Sequence, residues 1–328
     1  MNSPHQRKKH MRRAVGGIRF YSFLIIIAVA ATAVGFLYFV YTPLLPPPAA
    51  GGHTTAGKSF SSKNAGSAVN LEYLYSPYAV LIDRETGNTL AGHSSGQRIY
   101  PASLTKIMTA VLAIEHTEDL NSTAVLPWDF ERLYEEEASM AGFEPGEEVT
   151  YRDLLYGILL PSGAECCMAF AEGISGCEEA FTELMNLKAE ALGMKNTHFC
   201  NATGLHNPDH YSTVEDIAIL LRYALENQNF RAAFTSSFYT TVSTGQHPQG
   251  FTFYSTLFKN LDGTEIQGGE ILGGKTGFTD EAGLCLASLA KVNGTEYILV
   301  TAKANGTLNT EPFHILDAIH VYNQLAEK

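Results

Sequence analysis

The sequence contains little positive charge beyond its first 20 residues. Its 328 residues include 22 lysines and arginines against 34 aspartates and glutamates, for a net charge of −12. The first 20 residues contribute +6 and contain no acid, which leaves −18 for the remainder. Nucleic-acid binding requires clustered Lys and Arg on the binding domain, so this acidic remainder argues against a nucleic-acid partner. We interpret the acidic stretch from Glu131 to Glu148 as a solvated surface.

Cysteine is scarce and unevenly placed. The five cysteines, with Cys166 and Cys167 adjacent, do not form the even set of a disulfide scaffold. We interpret most of them as buried small hydrophobic residues, and one disulfide in an oxidising compartment stays open. Hydrophobic residues make up 45% of the chain and charged residues 17%, which is typical of a globular protein and not of a disordered one.

The N-terminal region has no charged residue between Phe20 and Val40. A helix of these 21 residues would cross the hydrocarbon core of a bilayer. The cations before it predict that residues 1–19 are a cytoplasmic basic segment, followed by a transmembrane helix over residues 20–41. A cleaved signal peptide is the alternative, and either interpretation exports the rest of the chain.

Residues 42–68 are rich in Pro, Gly and Ser, and we predict that they form a linker. The folded domain is expected over residues 69–328. It opens with two alternating apolar runs around the turn Glu85 to Asn88, which predicts a hairpin. Two more strand-like runs flank Val292-Asn293-Gly294, a strong hairpin turn.

Between these strand patterns the chain from about residue 102 to 234 is mostly helical in pattern. Thr213 is placed to cap a helix over Val214–Asn227, with Asp216 three residues later. A last helix is predicted over residues 313–325, with Phe313, Leu316, Ile319 and Tyr322 on one face. This order predicts an α+β fold with an antiparallel sheet from both chain ends and a large helical insertion.

Three short motifs contain residue types suited to serine-nucleophile chemistry. Ser103 and Lys106 are neighbours on a predicted helix, so Lys106 as a free amine can take the Ser103 proton. Pro161-Ser162-Gly163 stands between two helical stretches, and Gly274-Lys275-Thr276-Gly277 stands on a predicted strand. A second Ser-x-x-Lys, Ser288 to Lys291, lies in a predicted strand, where residues three apart face opposite sides. We therefore reject this second match.

The order of these motifs resembles that of the low-molecular-weight penicillin-binding serine D-alanyl-D-alanine carboxypeptidase family, which has the β-lactamase/DD-peptidase-like fold. The resemblance runs from about Val69 to the C-terminus and includes YPASLTKIMTA and GGKTGFTDEAGLCLAS. It implies a hydrolase of bacterial peptidoglycan stem peptides ending in D-Ala-D-Ala, with β-lactams as covalent inhibitors and no metal or other cofactor. Together with the N-terminal segment it implies a single-pass protein of the bacterial cell membrane, with an extracytoplasmic catalytic domain.

The resemblance also assigns roles to individual residues. Ser103 would attack the carbonyl between the two D-alanines, Lys106 would act as its base, and Ser162 would pass the proton to the leaving amine. In the third motif, Lys275 would hold an ammonium near the substrate carboxylate, where it would favour the neutral form of Lys106. The substrate-binding set implied by the family is Lys275, Thr276, Gly277 and Phe278, with the backbone N–H groups of Ser103 and Phe278 as oxyanion hole.

One position departs from the family pattern. Members typically have Asn two residues after the serine of the second motif, and this chain has Ala164 there, followed by Glu165. The missing amide implies either a weakened enzyme or an inactive penicillin- or peptidoglycan-binding protein. Alternatively, Glu165 replaces the amide through a different geometry.

Two other enzyme classes compete with this interpretation. A class A β-lactamase needs a deacylating Glu after the second motif, and Glu190 lacks the surrounding pattern of that family. A metal-dependent peptidase would need a set of ligands with helical or paired-Cys spacing, which is absent from the histidine-rich stretch. That stretch, interpreted as a turn-rich loop, contains His198, Cys200, His206, Asp209 and His210.

Overall fold

The computed structural model describes residues 69–326 of the chain. The predicted basic segment 1–19, transmembrane helix 20–41 and linker 42–68 lie outside the described residues. None of the helices between residues 69 and 326 has both the length and the apolar composition that a bilayer-spanning helix needs.

The described part of the chain contains antiparallel strands at both ends and a run of five consecutive α-helices between residues 151 and 234. The strands are β1 (Tyr78–Asp83), β2 (Thr89–His93), β3 (Thr123–Val125), β4 (Glu148–Thr150), β5 (Phe238–Thr240), β6 (Thr252–Tyr254), β7 (Glu265–Ile266), β8 (Gly269–Thr279), β9 (Gly283–Val292) and β10 (Thr295–Ala304). The α-helices are α1 (Lys106–His116), α2 (Glu131–Glu135), α3 (Tyr151–Leu159), α4 (Ala164–Ser175), α5 (Glu178–Leu192), α6 (Val214–Ala224), α7 (Gln228–Phe234) and α8 (Phe313–Ala326). Short 3-10 turns cover Ala102–Thr105 and Phe258–Asn260.

The main sheet joins the two ends of the folded domain. Its strand order is β2-β1-β10-β9-β8-β7, and each neighbouring pair is antiparallel. The first hairpin, β1 and β2, therefore pairs with the last strand, β10, across the whole helical insertion. The predicted α+β fold, with a sheet from both chain ends, is confirmed. The pairs β3–β4 and β5–β6 form two small sheets of their own.

Side chains on the central strands are buried on both sides of the sheet. Val80 and Ile82 face the core of the helical insertion, while Ala79 and Leu81 face the second core under α8. This alternation follows from the two-residue period of a strand. The helical insertion on one face and α8 on the other leave the middle of the sheet without contact with water.

Local sequence signals fix several boundaries. Asn293 and Gly294 both have positive φ, 49° and 86°, as the two-residue turn between β9 and β10 requires. The Thr213 side chain accepts the N–H of Asp216 and caps α6, as predicted. The predicted helix to Asn227 is too long: α6 ends at Ala224, because the Asn227 side chain caps the next helix, α7.

The predicted buried face of α8 is wrong by part of a turn. Leu316 is exposed, and Phe313 and Ile319 are only half-buried. The buried stripe instead consists of Ile315, Ala318, Val321, Tyr322 and Leu325. Tyr322 determines the rotation, since its hydroxyl lies 2.9 Å from Ser288 Oγ on β9 and donates to the Ser288 carbonyl.

The acidic stretch is not solvated throughout. Glu131 and the triplet after Tyr134 are exposed, but Glu147 is completely buried. Its carboxylate accepts hydrogen bonds from Thr244 and from the Glu144 N–H, and it lies 2.9 Å from His247 Nδ1. Glu147 thus attaches the segment between β5 and β6 to the helical part.

The two neighbours Ile315 and Leu316 test the observed face of α8. We expect Ile315→Ala to lower the free energy of unfolding by about 2–5 kcal/mol, because it leaves a cavity under the sheet. Leu316→Ala is the control and should change it by less than about 0.5 kcal/mol, since Leu316 is exposed. Urea unfolding followed by circular dichroism measures both, and equal losses would contradict the observed rotation.

Candidate active site

The first serine–lysine pair lies where the chain enters the helical insertion. Ser103 is in the 3-10 turn after Pro101, and Lys106 is the first residue of α1. Lys106 Nζ lies 3.1 Å from Ser103 Oγ and donates to the Thr203 carbonyl at 2.7 Å. The residue before the serine, Ala102, has φ of 45°, a conformation that costs energy for a residue with a Cβ. This strained turn points Ser103 at the lysine.

The environment of Lys106 favours its free amine. The side chain is 3% exposed, and burial lowers the pKa of Lys106 from its ordinary value. Negative charges on Cys167, Glu165 and Cys166 would act in the opposite direction. Because a neutral amine has a lone pair, a buried lysine beside a hydroxyl can act as a general base.

The second serine–lysine pair joins the helical part to the sheet. Ser162 lies between α3 and α4 and has φ of 72°, which is uncommon for a residue other than glycine. Lys275, on β8, is completely buried, and its Nζ donates to Ser162 Oγ at 3.0 Å and to the Thr276 carbonyl at 2.8 Å. The left-handed backbone at Ser162 thus turns its hydroxyl toward the strand.

The pKa of Lys275 depends on the charge of Lys106 in the first pair. Its burial, followed by the charge of Lys106, holds the pKa of Lys275 well below the ordinary lysine value. Among residues 69–326 neither lysine forms an ion pair with an acid. The sequence suggested that Lys275 is an ammonium, and in the structure its burial and the charge of Lys106 both oppose that charge.

The remaining residues of the third motif lie along the same strand. Thr276 is half-buried, and its hydroxyl oxygen lies 2.7 Å from that of Thr256. A Cβ on Gly277 would lie 3.1 Å from the Ser103 nitrogen and 3.2 Å from the Pro101 carbonyl oxygen. Glycine therefore allows β8 to lie directly against the turn that carries Ser103. Phe278 follows on the strand and is half-buried.

A loop outside the three motifs supports the Ser103–Lys106 pair. The Asn201 side chain accepts the N–H groups of Thr203 and Gly204 and so orients the Thr203 carbonyl toward Lys106. Gly204 has φ of 83°, and a Cβ there would lie 1.9 Å from the Ala102 carbonyl oxygen. The turn signal Asn-x-x-Gly was visible in the sequence, but its contact with the lysine was not.

The histidine-rich stretch is part of this support. His210 is buried, which lowers its pKa to about 3, and its Nε2 lies 2.8 Å from the Thr105 hydroxyl inside the first motif. Its Nδ1 accepts the Cys200 N–H, so the neutral ring donates to Thr105. Within residues 69–326, no group of three or more His, Cys, Asp and Glu residues is arranged to hold a metal ion.

Position 164 lies at the N-terminus of α4, directly beside the site. Ala164 is completely buried, and its N–H donates to the Ser139 carbonyl at 2.8 Å. The Glu165 carboxylate accepts backbone N–H groups of residues 141–143. Glu165 Oε1 is therefore engaged with this backbone, and the replacement of the missing amide by Glu165 stays a hypothesis.

The second Ser-x-x-Lys is on β9, as the strand pattern predicted. Ser288 is buried toward α8, where its hydroxyl meets Tyr322, while Lys291 is exposed. Ser288 packs with the core under α8, on the opposite side of the sheet from the helical insertion. Ser288 has a structural role.

The fold and the two serine–lysine pairs define a protein of the DD-peptidase fold class. The crystal structure of the Streptomyces K15 DD-transpeptidase superimposes with a TM-score of 0.68 at 27% identity, over 76% of this chain and 97% of that one. The family profile described as D-alanyl-D-alanine carboxypeptidase matches residues 65–306. The chain therefore belongs to the D-alanyl-D-alanine carboxypeptidase family.

Two curated relatives are named as D-alanyl-D-alanine carboxypeptidases, like the family. D-alanyl-D-alanine carboxypeptidase DacF of Bacillus subtilis is 39% identical over 235 residues, which is 69% of this chain and 57% of that protein. D-alanyl-D-alanine carboxypeptidase DacD of Escherichia coli is 30% identical over 241 residues, 71% of this chain and 59% of that protein. The chain thus spans less than two thirds of the length of these two relatives.

The coupling between the two lysines can be measured directly. We expect the Lys275 side chain to titrate below the ordinary value of 10.5 in the free protein. Replacing Lys106 by Met removes a group whose protonation disfavours a charge on Lys275, and should therefore raise the pKa of Lys275. NMR of ¹³Cε-labelled lysine as a function of pH measures this, with Lys275→Arg to assign the resonance. An unchanged Lys275 titration in Lys106→Met would contradict the coupling.

Proposed function

We propose that this chain is a serine-type D-Ala-D-Ala carboxypeptidase, which removes the terminal D-alanine of peptidoglycan stem pentapeptides through an acyl-enzyme on Ser103. The observation that carries the proposal is the distance of 3.1 Å between Lys106 Nζ and Ser103 Oγ, with the lysine buried. Family membership and the names of the relatives support the same reaction.

Acylation begins with proton transfer from Ser103 to the free amine of Lys106. The serine oxygen attacks the carbonyl carbon between the two D-alanines, and the charge on the carbonyl oxygen is met by the backbone N–H groups of Ser103 and Phe278. Ser162 then delivers a proton to the leaving amine and takes a replacement from Lys275 Nζ at 3.0 Å. The proton that Lys106 took from Ser103 passes to Lys275, so Lys106 is again a free amine. The C–N bond breaks, D-alanine leaves, and the ester on Ser103 remains.

The terminal carboxylate selects the substrate. In the empty site, burial and the charge of Lys106 lower the pKa of Lys275. A bound carboxylate favours the ammonium, so the anion and a proton enter together. The Thr276 hydroxyl, oriented by Thr256 at 2.7 Å, supplies a hydrogen bond to the same carboxylate. Gly277 keeps the strand close enough to Ser103 for carboxylate and scissile carbonyl to bind at once.

Water completes the reaction by hydrolysing the ester on Ser103, with Lys106 again as base. The products are D-alanine and a stem peptide shortened by one residue. A β-lactam follows the same acylation route, because its strained amide presents a carbonyl and a carboxylate in similar positions. We therefore also propose peptidoglycan stem peptides as substrates and β-lactams as covalent inhibitors.

The competing function is an inactive or weakly active penicillin- or peptidoglycan-binding protein. It would result from the absence of an amide at Ala164, since Glu165 Oε1 is already bonded to the N–H groups of Ala141 and Gly142. The hydrolase is favoured, because Ser103, Lys106, Ser162 and Lys275 all keep hydrogen-bonding distances suited to acylation. Release of D-alanine distinguishes the two functions.

We further propose that residues 20–41 anchor the protein in the bacterial cell membrane as a single span, with the catalytic domain outside the cytoplasm. The support is the uncharged run in these residues and the six cations before it. Peptidoglycan lies on the outer side of this membrane, so the proposed anchor and the proposed substrate agree.

Ser103→Ala should abolish both labelling by a fluorescent penicillin and release of D-alanine from diacetyl-lysyl-D-alanyl-D-alanine. Ser288→Ala is the matched control and should leave both intact, because Ser288 faces α8. Normal labelling of Ser103→Ala would contradict the assignment of the nucleophile. Labelling of the wild type without D-alanine release would favour the binding protein.

Deletion of residues 1–40 should leave a soluble protein that fluorescent penicillin still acylates at the wild-type rate. The reason is that the site residues all lie within the domain of residues 69–326. Membrane fractionation compares the full chain, expected in the membrane, with the shortened chain. A full chain that stays in the soluble fraction would contradict the proposed anchor.

A further inference from the structure

Glu165 is a buried acid that the proposed mechanism does not use. It lies in the first turn of α4, three residues after Ser162, and none of its surface is exposed. An acid at the N-terminus of a helix is electrostatically favourable, but complete burial of a carboxyl group is costly unless its oxygens are hydrogen-bonded. The contacts of its two oxygens therefore need separate explanations.

One oxygen holds the polypeptide segment 139–143, which precedes β4. Glu165 Oε1 accepts the N–H groups of Ala141 at 2.7 Å, Gly142 at 2.8 Å and Phe143 at 3.4 Å. A further bond joins the Ala164 N–H to the Ser139 carbonyl at 2.8 Å. The first turn of α4 thus fixes this segment through its backbone, which places no demand on the side chains of the segment.

The segment passes directly against the residue that follows Ser162. A Cβ on Gly163 would lie 2.7 Å from the Ala141 Cβ and 3.0 Å from the Ala141 nitrogen. Ser162 itself has a left-handed backbone with φ of 72° that depends on its surroundings to persist. Movement of segment 139–143 would therefore release the constraint on the Ser162 hydroxyl and on its contact with Lys275.

The other oxygen, Glu165 Oε2, is buried and has no hydrogen-bond partner among the described residues. Such a group is rare in folded proteins and calls for a reason. The titratable groups that interact with Glu165 are Lys106 on α1 and Cys166 and Cys167 on α4. Lys106 is the candidate base, so the charge of Glu165 acts on the reacting centre.

We propose that Glu165 is a positioning residue for the acylation of Ser103, which fixes segment 139–143 beside Ser162 and interacts electrostatically with Lys106. The inference rests on the proposed function. An amide at position 164 could not have this role. Glu165 acts through hydrogen bonds to the backbone of segment 139–143 and through its effect on the charge of Lys106.

Glu165 and Lys106 are both buried, so a charge on Glu165 affects the pKa of Lys106. Burial raises the pKa of Glu165 despite its three N–H bonds, and burial lowers the pKa of Lys106. A negative charge on Glu165 raises the pKa of Lys106. Removing that charge without changing the shape should lower the pKa of Lys106, so its free amine would persist to lower pH.

The test compares Glu165→Gln and Glu165→Ala with the control Glu172→Gln, which changes an exposed acid on the same helix. The rate of acylation by a fluorescent penicillin is measured as a function of pH in the full-length protein. Hydrogen exchange is followed for the amides of residues 139–143. Both measurements are made on each variant and on the wild type.

Glu165→Gln should keep the slow exchange of residues 141–143, because the amide oxygen accepts the same N–H groups. The acid limb of its acylation rate, plotted against pH, should move to lower pH, and a purely structural role would not produce this shift. Glu165→Ala should lose the slow exchange in that segment and acylate about tenfold more slowly or worse. Glu172→Gln should match the wild type in both measurements.

If the acid limb of the pH profile of Glu165→Gln lies at the wild-type pH, the proposed effect of Glu165 on Lys106 is wrong. If residues 141–143 still exchange slowly in Glu165→Ala, the proposed fixing of the segment by Glu165 is wrong. If Glu165→Ala does not fold, the pH profile and exchange of Glu165→Gln decide alone. Failure of the proposed function has a different signature, which is a wild-type protein that penicillin does not label at all. The exchange measurement needs no catalysis and still tests the segment.

Discussion

The structure depends on keeping two lysine side chains out of water without neutralising them by acids. Lys106 is 3% exposed and Lys275 is completely buried, and their hydrogen bonds go to serine hydroxyls and to the carbonyls of Thr203 and Thr276. An ion pair would stabilise each ammonium and remove the base. Neutral hydrogen-bond acceptors instead hold each amine in place while burial favours the uncharged form.

The fold supplies this environment from distant parts of the chain. β8 carries Lys275 on a sheet made of both chain ends, and the insertion brings Ser103, Lys106 and Ser162 against it. The close approach is possible because position 277 has no side chain. Ala102 and Ser162 both keep left-handed backbones beside the reacting groups. Strain of this kind persists only where surrounding packing over-determines the conformation.

A second layer of contacts holds the first. His210, neutral and buried, supports Thr105 between Ser103 and Lys106, while Asn201 orients the carbonyl that Lys106 meets. On the other side, α4 attaches segment 139–143 through Glu165. The site therefore rests on polar side chains from outside the three motifs: Asn201 and His210 lie in loops, and Glu165 lies in the first turn of α4.

The sequence alone determined most of the elements and the candidate site residues, because these depend on local signals. Alternating apolar residues, the turn at Asn293-Gly294 and the cap at Thr213 act within a few positions, and the three motifs have fixed spacing. Strand geometry was also sufficient to reject Ser288. The tertiary structure decided which face of α8 is buried, where Glu147 and Glu165 point, and that the surroundings of Lys275 lower its pKa. These properties depend on which groups meet across long separations in sequence, since burial and hydrogen-bond partners, not residue type, set orientation and charge.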